Sequence, residues 1–135
     1  MLKLKIRVSI LGVLALATAA ALAWAENNPF SRVDIKENRG RYVGACPVEI
    51  VFRGYIQLNQ PRQALAFNYH WTRSDGATGQ VKVLQPPLNQ TTVVIPETWT
   101  LGAAGQHYDV SETLWVNSGN THLNVTSRTI PIDCR

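Results

Sequence analysis

A two-sheet, all-β fold follows from three features of this 135-residue chain. The stretch Leu65 to Gly76, reading Leu-Ala-Phe-Asn-Tyr-His-Trp-Thr-Arg-Ser-Asp-Gly, alternates apolar and polar residues and stops at a turn. Leu65, Phe67, Tyr69 and Trp71 share one parity and Ala66, Asn68, His70 and Thr72 the other, which is the period-2 pattern of a half-buried strand. Other short runs of this kind follow one another with turn signals roughly every ten residues, and no helical pattern of significant length interrupts them. Finally, Cys46 lies well before the aromatic stretch and Cys134 near the chain end, so that a buried aromatic strand is bracketed by two cysteines.

Ahead of these strands, Lys3, Lys5 and Arg7 form a short basic region. Val8 to Leu22 is apolar apart from Ser9, Gly12 and Thr18, and Ala23-Trp24-Ala25 is a small-x-small cleavage site. Residues 1–25 therefore read as a secretory signal peptide. The rival reading, a membrane anchor, needs roughly 20 apolar residues and this run supplies about 15. The remaining chain is expected to be exported, to the periplasm or the medium, and not to be an integral membrane protein.

Removing the leader changes the charge argument. The net charge of +4 includes its three cations, whereas all nine acidic residues lie beyond it, leaving ten basic groups against nine acidic. Such a near-neutral chain gives no electrostatic reason for a nucleic-acid partner. About 110 residues make one domain. Two cysteines 88 positions apart in an exported chain are most simply one disulfide. Closing so long a loop stabilises by roughly 4 to 5 kcal/mol in the chain-entropy model. A redox site would favour a Cys-x-x-Cys spacing, and a metal site more ligands nearby.

The strands can be taken in order. Residues 26–30 are polar, carry Pro29 and read as a flexible lead-in to a single domain over 31–135. Arg32 to Lys36 alternates Val33 and Ile35 against Asp34 and Lys36. Val48 to Leu58 carries the longest pattern, with Val48, Ile50, Phe52, Ile56 and Leu58 on one face and Gly54 interrupting, which signals a bulge or a close approach by the facing sheet. Asn59-Gln60-Pro61 turns the chain into the aromatic strand, which ends at Ser74-Asp75-Gly76. Val81 to Leu84 is short and stopped by Pro86-Pro87, as an edge strand would be. Thr91 to Leu101 places Val93, Ile95, Trp99 and Leu101 on one parity, with Pro96 marking a bulge or an exposed edge.

His107 to Asn117 and Asn120 to Ile132 read as the sixth and seventh strands, joined at Ser118-Gly119. A two-residue loop there sets Leu114 opposite Leu123, Trp115 opposite His122, Thr113 opposite Asn124 and Asp109 opposite Arg128. Glu112 falls on the inward parity, where an unpaired carboxylate is costly, so a bulge or an open strand end is expected beside it. Seven such strands suit a Greek-key sandwich of the immunoglobulin-like or fibronectin III-like kind. In that arrangement the start of the second strand and the end of the last share a pole, where Cys46 and Cys134 could meet.

The run Tyr42-Val43-Gly44-Ala45-Cys46-Pro47, then Ile50, Phe52, Gly54 and Ile56, then Tyr69-x-Trp71-x-Arg73-Ser74-Asp75-Gly76 and a closing cysteine, resembles a group of small immunoglobulin-like domains in exported bacterial proteins. The resemblance spans nearly all of the chain after the leader. It implies a secreted or periplasmic β-sandwich with a bridge between these two cysteines, and it transfers no catalytic or binding residue.

Catalytic constellations are not evident. The chain has no Gly-x-Ser-x-Gly, no His-Glu-x-x-His, no Gly-rich phosphate loop and no calcium loop of alternating acidic residues. His70, His107 and His122 show no metal-ligand spacing, although His70 and His122 could share one outer face. No enzyme activity, metal or cofactor is therefore expected. Asn89-Gln90-Thr91 and Asn124-Val125-Thr126 match the N-glycosylation pattern, which means nothing in a bacterial protein.

One surface remains. Asn68, His70, Thr72, Ser111, Thr113, Trp115, His122, Asn124 and Thr126 share the outward parity of the third, sixth and seventh strands. A large aromatic among amides and hydroxyls suits a protein partner or a sugar ring, unless Trp115 is tucked under a loop or against His122. The expected function is protein-protein contact by a non-enzymatic module in the cell envelope or outside it. The alternatives are glycan recognition through Trp115, His122, Asn124, His70 and Asn68, or a structural subunit joined through the first and fourth strands as unpaired edges.

Overall fold

The computed structural model describes residues 28–59 and 66–135. The expected signal peptide and the first residue of the aromatic stretch, Leu65, lie outside them. Among the described residues ten strands form: β1 (Phe30–Glu37), β2 (Tyr42–Gly44), β3 (Val48–Leu58), β4 (Phe67–Arg73), β5 (Lys82–Leu84), β6 (Thr92–Leu101), β7 (His107–Val110), β8 (Glu112–Ser118), β9 (Thr121–Thr126) and β10 (Ile130–Cys134). They pair as β1-β3-β6, as β5-β4-β8-β9, and as a smaller ladder β2-β10-β7. All pairings are antiparallel except that of β2 with β10.

The expected seven strands become ten because the last two fork and because Tyr42–Gly44 is too short to show a period. Two residues, Ser111 and Glu112, separate the paired positions of β7 and β8, against three, Ser127 to Thr129, between β9 and β10. One side thus carries an extra residue, which flips strand parity as a β-bulge does. Leu123 and Val125 face inward on β9, and after the flip Ile130, Ile132 and Cys134 face inward on β10. The fork is stitched by main chain and serines. Ser127 N donates to Glu112 O and Glu112 N to Ser127 Oγ, while Ser74 N donates to Ser111 O and Ser111 N to Ser74 Oγ.

One core joins the layers. Ile50, Phe52 and Ile56 of β3 with Val93, Ile95 and Trp99 of β6 meet Phe67 and Trp71 of β4, Leu114 and Val116 of β8, and Ile130 and Ile132 of β10. Phe30 and Phe67 meet edge to face across the layers with centroids 5.4 Å apart. Gly54 is the tightest point of contact. The β1–β3 and β3–β6 registers run unbroken through it, so it is a close approach and not a bulge. A Cβ there would lie 2.5 Å from Leu114 Cδ2 and 3.3 Å from Trp71 Cζ2. Pro96 sits on an unbroken edge strand, β6, and likewise makes no bulge.

Cys46 and Cys134 are bonded, with Cα atoms 5.4 Å apart. The bridge closes the pole where β10 ends, and it is covered by Gly102, whose φ of +109° favours glycine and whose Cβ would fall 2.7 Å and 2.8 Å from the two sulfurs. Cys134 N donates to Gln106 O and Arg135 N to Gly44 O, so the C-terminus is held by backbone as well as by sulfur. On the same ladder His107 Nδ1 lies 2.6 Å from Asp133 Oδ1 and its Nε2 3.2 Å from Asp109 Oδ1, while Arg41 reaches Asp133 at 3.3 Å. The bond to Asp133, then that to Asp109, raise the His107 pKa above its ordinary value, and His107 followed by Arg41 lower that of Asp133.

Arg128 does not face Asp109. The partner of Asp109 is Pro131, and Arg128 crosses to β1, where its N and Nη2 donate to the two carboxylate oxygens of Glu37 at 3.0 Å and 3.2 Å. The Glu37 side chain is only 3% exposed whereas that of Arg128 is 80% exposed, so the pair joins β1 to the fork at the surface, with Arg128 covering the carboxylate. The β8–β9 register is corrected as well. Leu114 faces Val125, Trp115 faces Asn124, Thr113 faces Thr126, and His122 faces Asn117. Gly119, at φ +55°, is the first of the two loop residues, which places the loop at Gly119-Asn120 and shifts every pair by two while preserving the faces.

Glu112 is 1% exposed and neither carboxyl oxygen has a hydrogen-bond partner. Burial first, then the charge of Glu97, push its pKa up to about 8, against the opposing pull of Arg73. The carboxyl is therefore held as the neutral acid at neutral pH, which removes most of the cost of burying it. Because the folded state keeps this proton while the unfolded chain releases it near 4.5, the stabilisation is complete below about 4.5 and is lost as pH rises toward about 8.

Two outcomes are expected. Urea unfolding of the native protein should show stability falling between these limits by up to about 1.4 kcal/mol per pH unit, and Glu112→Gln should flatten that slope; an unchanged slope in the variant would exclude Glu112 as its source. Gly54→Ala should lower stability by roughly 1–3 kcal/mol through overpacking, read from the midpoint of the same titration, and a neutral effect would mean that the layers can part at this point.

Candidate functional site

The outer face of β5-β4-β8-β9 brings the predicted site residues together. His70 lies opposite Trp115, Trp115 opposite Asn124, and Asn68 opposite Asn117, so the rows are set by strand register alone. Val83 of β5, opposite Asn68, continues the face to one edge and is 76% exposed. None of Val83, Asn68, His70, Thr72, Thr113, Trp115, Asn117, His122, Asn124 or Thr126 is a Lys, Arg, Asp or Glu, which makes this an uncharged surface.

Side chains are tied to each other across the strands. The indole Nε1 of Trp115 donates to Thr72 Oγ1 at 2.9 Å, and the imidazole of His70 lies parallel to the indole with centroids 5.9 Å apart. Trp115 thus leans from β8 across β4, and is 36% exposed. It is not tucked against His122. Asn117 Nδ2 donates to Asn68 Oδ1 at 3.0 Å, while Asn117 Oδ1 lies 2.7 Å from His122 Nδ1. An amide oxygen can only accept, so His122 Nδ1 is the donor in this arrangement. Thr113 and Thr126 share a hydroxyl pair at 2.8 Å.

Asn117 is the residue that strand reading missed. It links Asn68 to His122 across three strands, and its odd number on β8 is the signal that could have found it. Ser111 moves the other way, since its backbone is engaged by Ser74 at the fork and it lies outside β8. Cys46 and Cys134 lie at the pole, away from this face, as their bond requires.

A second concavity, a cleft of about 450 Å³, opens between β6 and β7 and is lined by Arg73, Asp75, Trp99, His107, Tyr108 and Asp109 among others. Its charged groups are already occupied. The Arg73 guanidinium lies over the Trp99 ring at 4.1 Å and hydrogen-bonds Asp75, which holds the Asp75 carboxyl below its ordinary range. Both ring nitrogens of His107 face carboxylates, so neither is free to act as a base.

No protein-family model matches the chain, and no curated protein matches it. Among solved structures it is similar to the CARDB domain of a Pyrococcus furiosus protein, crystallised in complex with di-metal ions, at 10% identity and a TM-score of 0.49, over 78% of this chain and 97% of that one. It is also similar to Parabacteroides merdae β-glucuronidase at 10% identity and a TM-score of 0.45, over 75% of this chain. The same enzyme with glycerol in its active site gives a TM-score of 0.46. The chain spans only 13% of the glucuronidase length, and at these identities no site residue is carried over from either protein.

Proposed function

We propose that the protein is a non-enzymatic, exported, immunoglobulin-like module that works by protein-protein contact through the outer face of β5-β4-β8-β9. The observation that carries this reading is the uncharged, cross-tied surface around Trp115, continued by the exposed Val83. Charge-depleted surface with a central aromatic is the composition of an interface core. Side chains already held by Thr72, Asn68 and Asn117 have little rotamer freedom left to lose when a partner arrives. The disulfide and the leader-like first 25 residues support export.

Glycan binding is the second reading, favoured by one feature. The indole is pinned at its Nε1 edge by Thr72, lies parallel to the His70 imidazole and has Asn124 opposite it in register, a combination of ring and hydrogen-bonding groups that also suits a sugar.

Trp115→Ala should keep the fold, since the side chain lies outside the core, and should weaken partner binding by about 2 kcal/mol or more, roughly 30-fold. Calorimetric unfolding of the variant, together with affinity capture from envelope extracts by both forms and a glycan array, checks this. Capture lost with folding retained and a silent array would support protein contact; array binding lost in the variant would transfer the site to the glycan reading; loss of folding would show that Trp115 is a core residue.

A further inference from the structure

The edges of the sheets are not equally protected. A free strand edge offers unpaired N–H and C=O groups to another chain, and proteins blunt such edges with charges, prolines or short length. Edge strand β1 carries Arg32, Asp34, Lys36 and Glu37, β6 carries Pro96 and Glu97, and β7 carries Asp109. Strand β5 has three residues, one of them Lys82, and is followed by Pro86-Pro87; β2 has three residues. Among the edge strands of the described residues only β9, Thr-His-Leu-Asn-Val-Thr, combines six residues with no charge, no proline and no glycine.

We infer that β9 is a self-association edge, pairing antiparallel with β9 of a second copy about a two-fold axis so that the two four-stranded sheets become one. Hairpin geometry supplies the donors and acceptors. Ser118 and Thr121 flank the two-residue loop and close it with their backbone bonds, so alternate residues of β9 bond to β8 and the others, His122, Asn124 and Thr126, direct N–H and C=O away from it. Among the described residues no hydrogen bond reaches those groups from that side.

Charge complementarity selects the occupant. A charged strand would find no counter-charge on β9, whereas a second β9 brings none that needs one. Centred on Asn124, the antiparallel pair sets His122 against Thr126 and Leu123 against Val125, with every pair on one face of the sheet. The half-buried Leu123 and Val125 would each cover the other's copy. The groove between β1 and the end of β9, lined by Asp34, Lys36, Thr126 and Arg128 among others, has about 450 Å³ in which the partner's Gly119-Asn120 turn can be received. This inference is independent of what the outer face binds, and it moves the assembly edge from the first and fourth strands to the last strand of the four-stranded sheet.

A contact of one strand buries less than a standard interface, so a weak dimer with Kd of about 100 μM is expected. Sedimentation equilibrium of the protein from about 10 μM to about 1 mM should show it. Asn124→Pro removes an N–H that β8 does not use, and Asn124→Lys sets like charges against each other at the axis. Each should weaken association at least about tenfold, with far-ultraviolet dichroism unchanged. In the native protein, amide exchange at His122 and Asn124 should slow as concentration rises while other exposed amides stay constant, a readout that holds even if a variant fails to fold. A monomer at the highest concentration, a dimer indifferent to both variants, or exchange at these amides that ignores concentration would each overturn the inference.

Discussion

Strand parity governs this molecule, and one extra residue between Ser127 and Thr129 sets it. A strand shows alternate faces, so a chain that must bury Leu123 and Val125 on β9 and Ile130, Ile132 and Cys134 on β10 has to change phase between them. The extra residue does this, and the consequences spread. Cys134 turns inward to meet Cys46, β10 leaves β9's sheet to pair with β2 and β7, and Arg128, in the extra segment, is released from a ladder to reach Glu37. Without the phase change the same sequence would present two isoleucines and a sulfur to water.

The facing strand has no matching insertion and pays for its regularity at Glu112. Parity on β7 and β8 runs through Val110, Glu112, Leu114 and Val116, all buried. A carboxyl is thereby carried into the interior opposite Arg73, whose guanidinium is already engaged by Asp75 and Trp99. Protonation is the remaining way to accommodate it, and the nearby Glu97 pushes in the same direction. The fork thus joins a rigid backbone junction to a titrating group, which ties the layer contact to pH in a way that the exposed His107 cluster, with its carboxylates open to solvent, does not.

Much of this was legible because period-2 alternation survives in single residues. Val48 to Leu58 needed no correction, and Gly54 announced itself as the one small residue in a row of large ones. The phase change was missed, because Asn120 to Ile132 read as one strand although its inward residues switch from odd to even after Thr126. Register was harder. Ser118-Gly119 and Gly119-Asn120 are both plausible loops, and only the backbone shows that Gly119 takes the first position with φ positive. Because the two choices differ by two in register, the face survived the error while its partners did not, and Asn117 was passed over as the link between Asn68 and His122. Tyr42–Gly44 was invisible because three residues carry no period, and the Glu37–Arg128 pair because nothing local relates positions 91 apart.

The uncharged character of β9 and of the outer face has a common physical origin. On both, the polar groups are amides, hydroxyls and imidazoles; those of Asn68, Asn117, His122, Thr113 and Thr126 are satisfied laterally by a neighbour on the next strand and need no counter-ion, while His70 Nδ1 is buried without a partner. Charges on the other edges keep those edges in water, since burying them against a partner would need pairing that a passing chain does not supply. Lateral ties also hold the face in place, with Trp115 lying over β4 and not standing free. A surface of this kind loses little on desolvation and little in side-chain entropy, so the contacts it makes keep most of their strength.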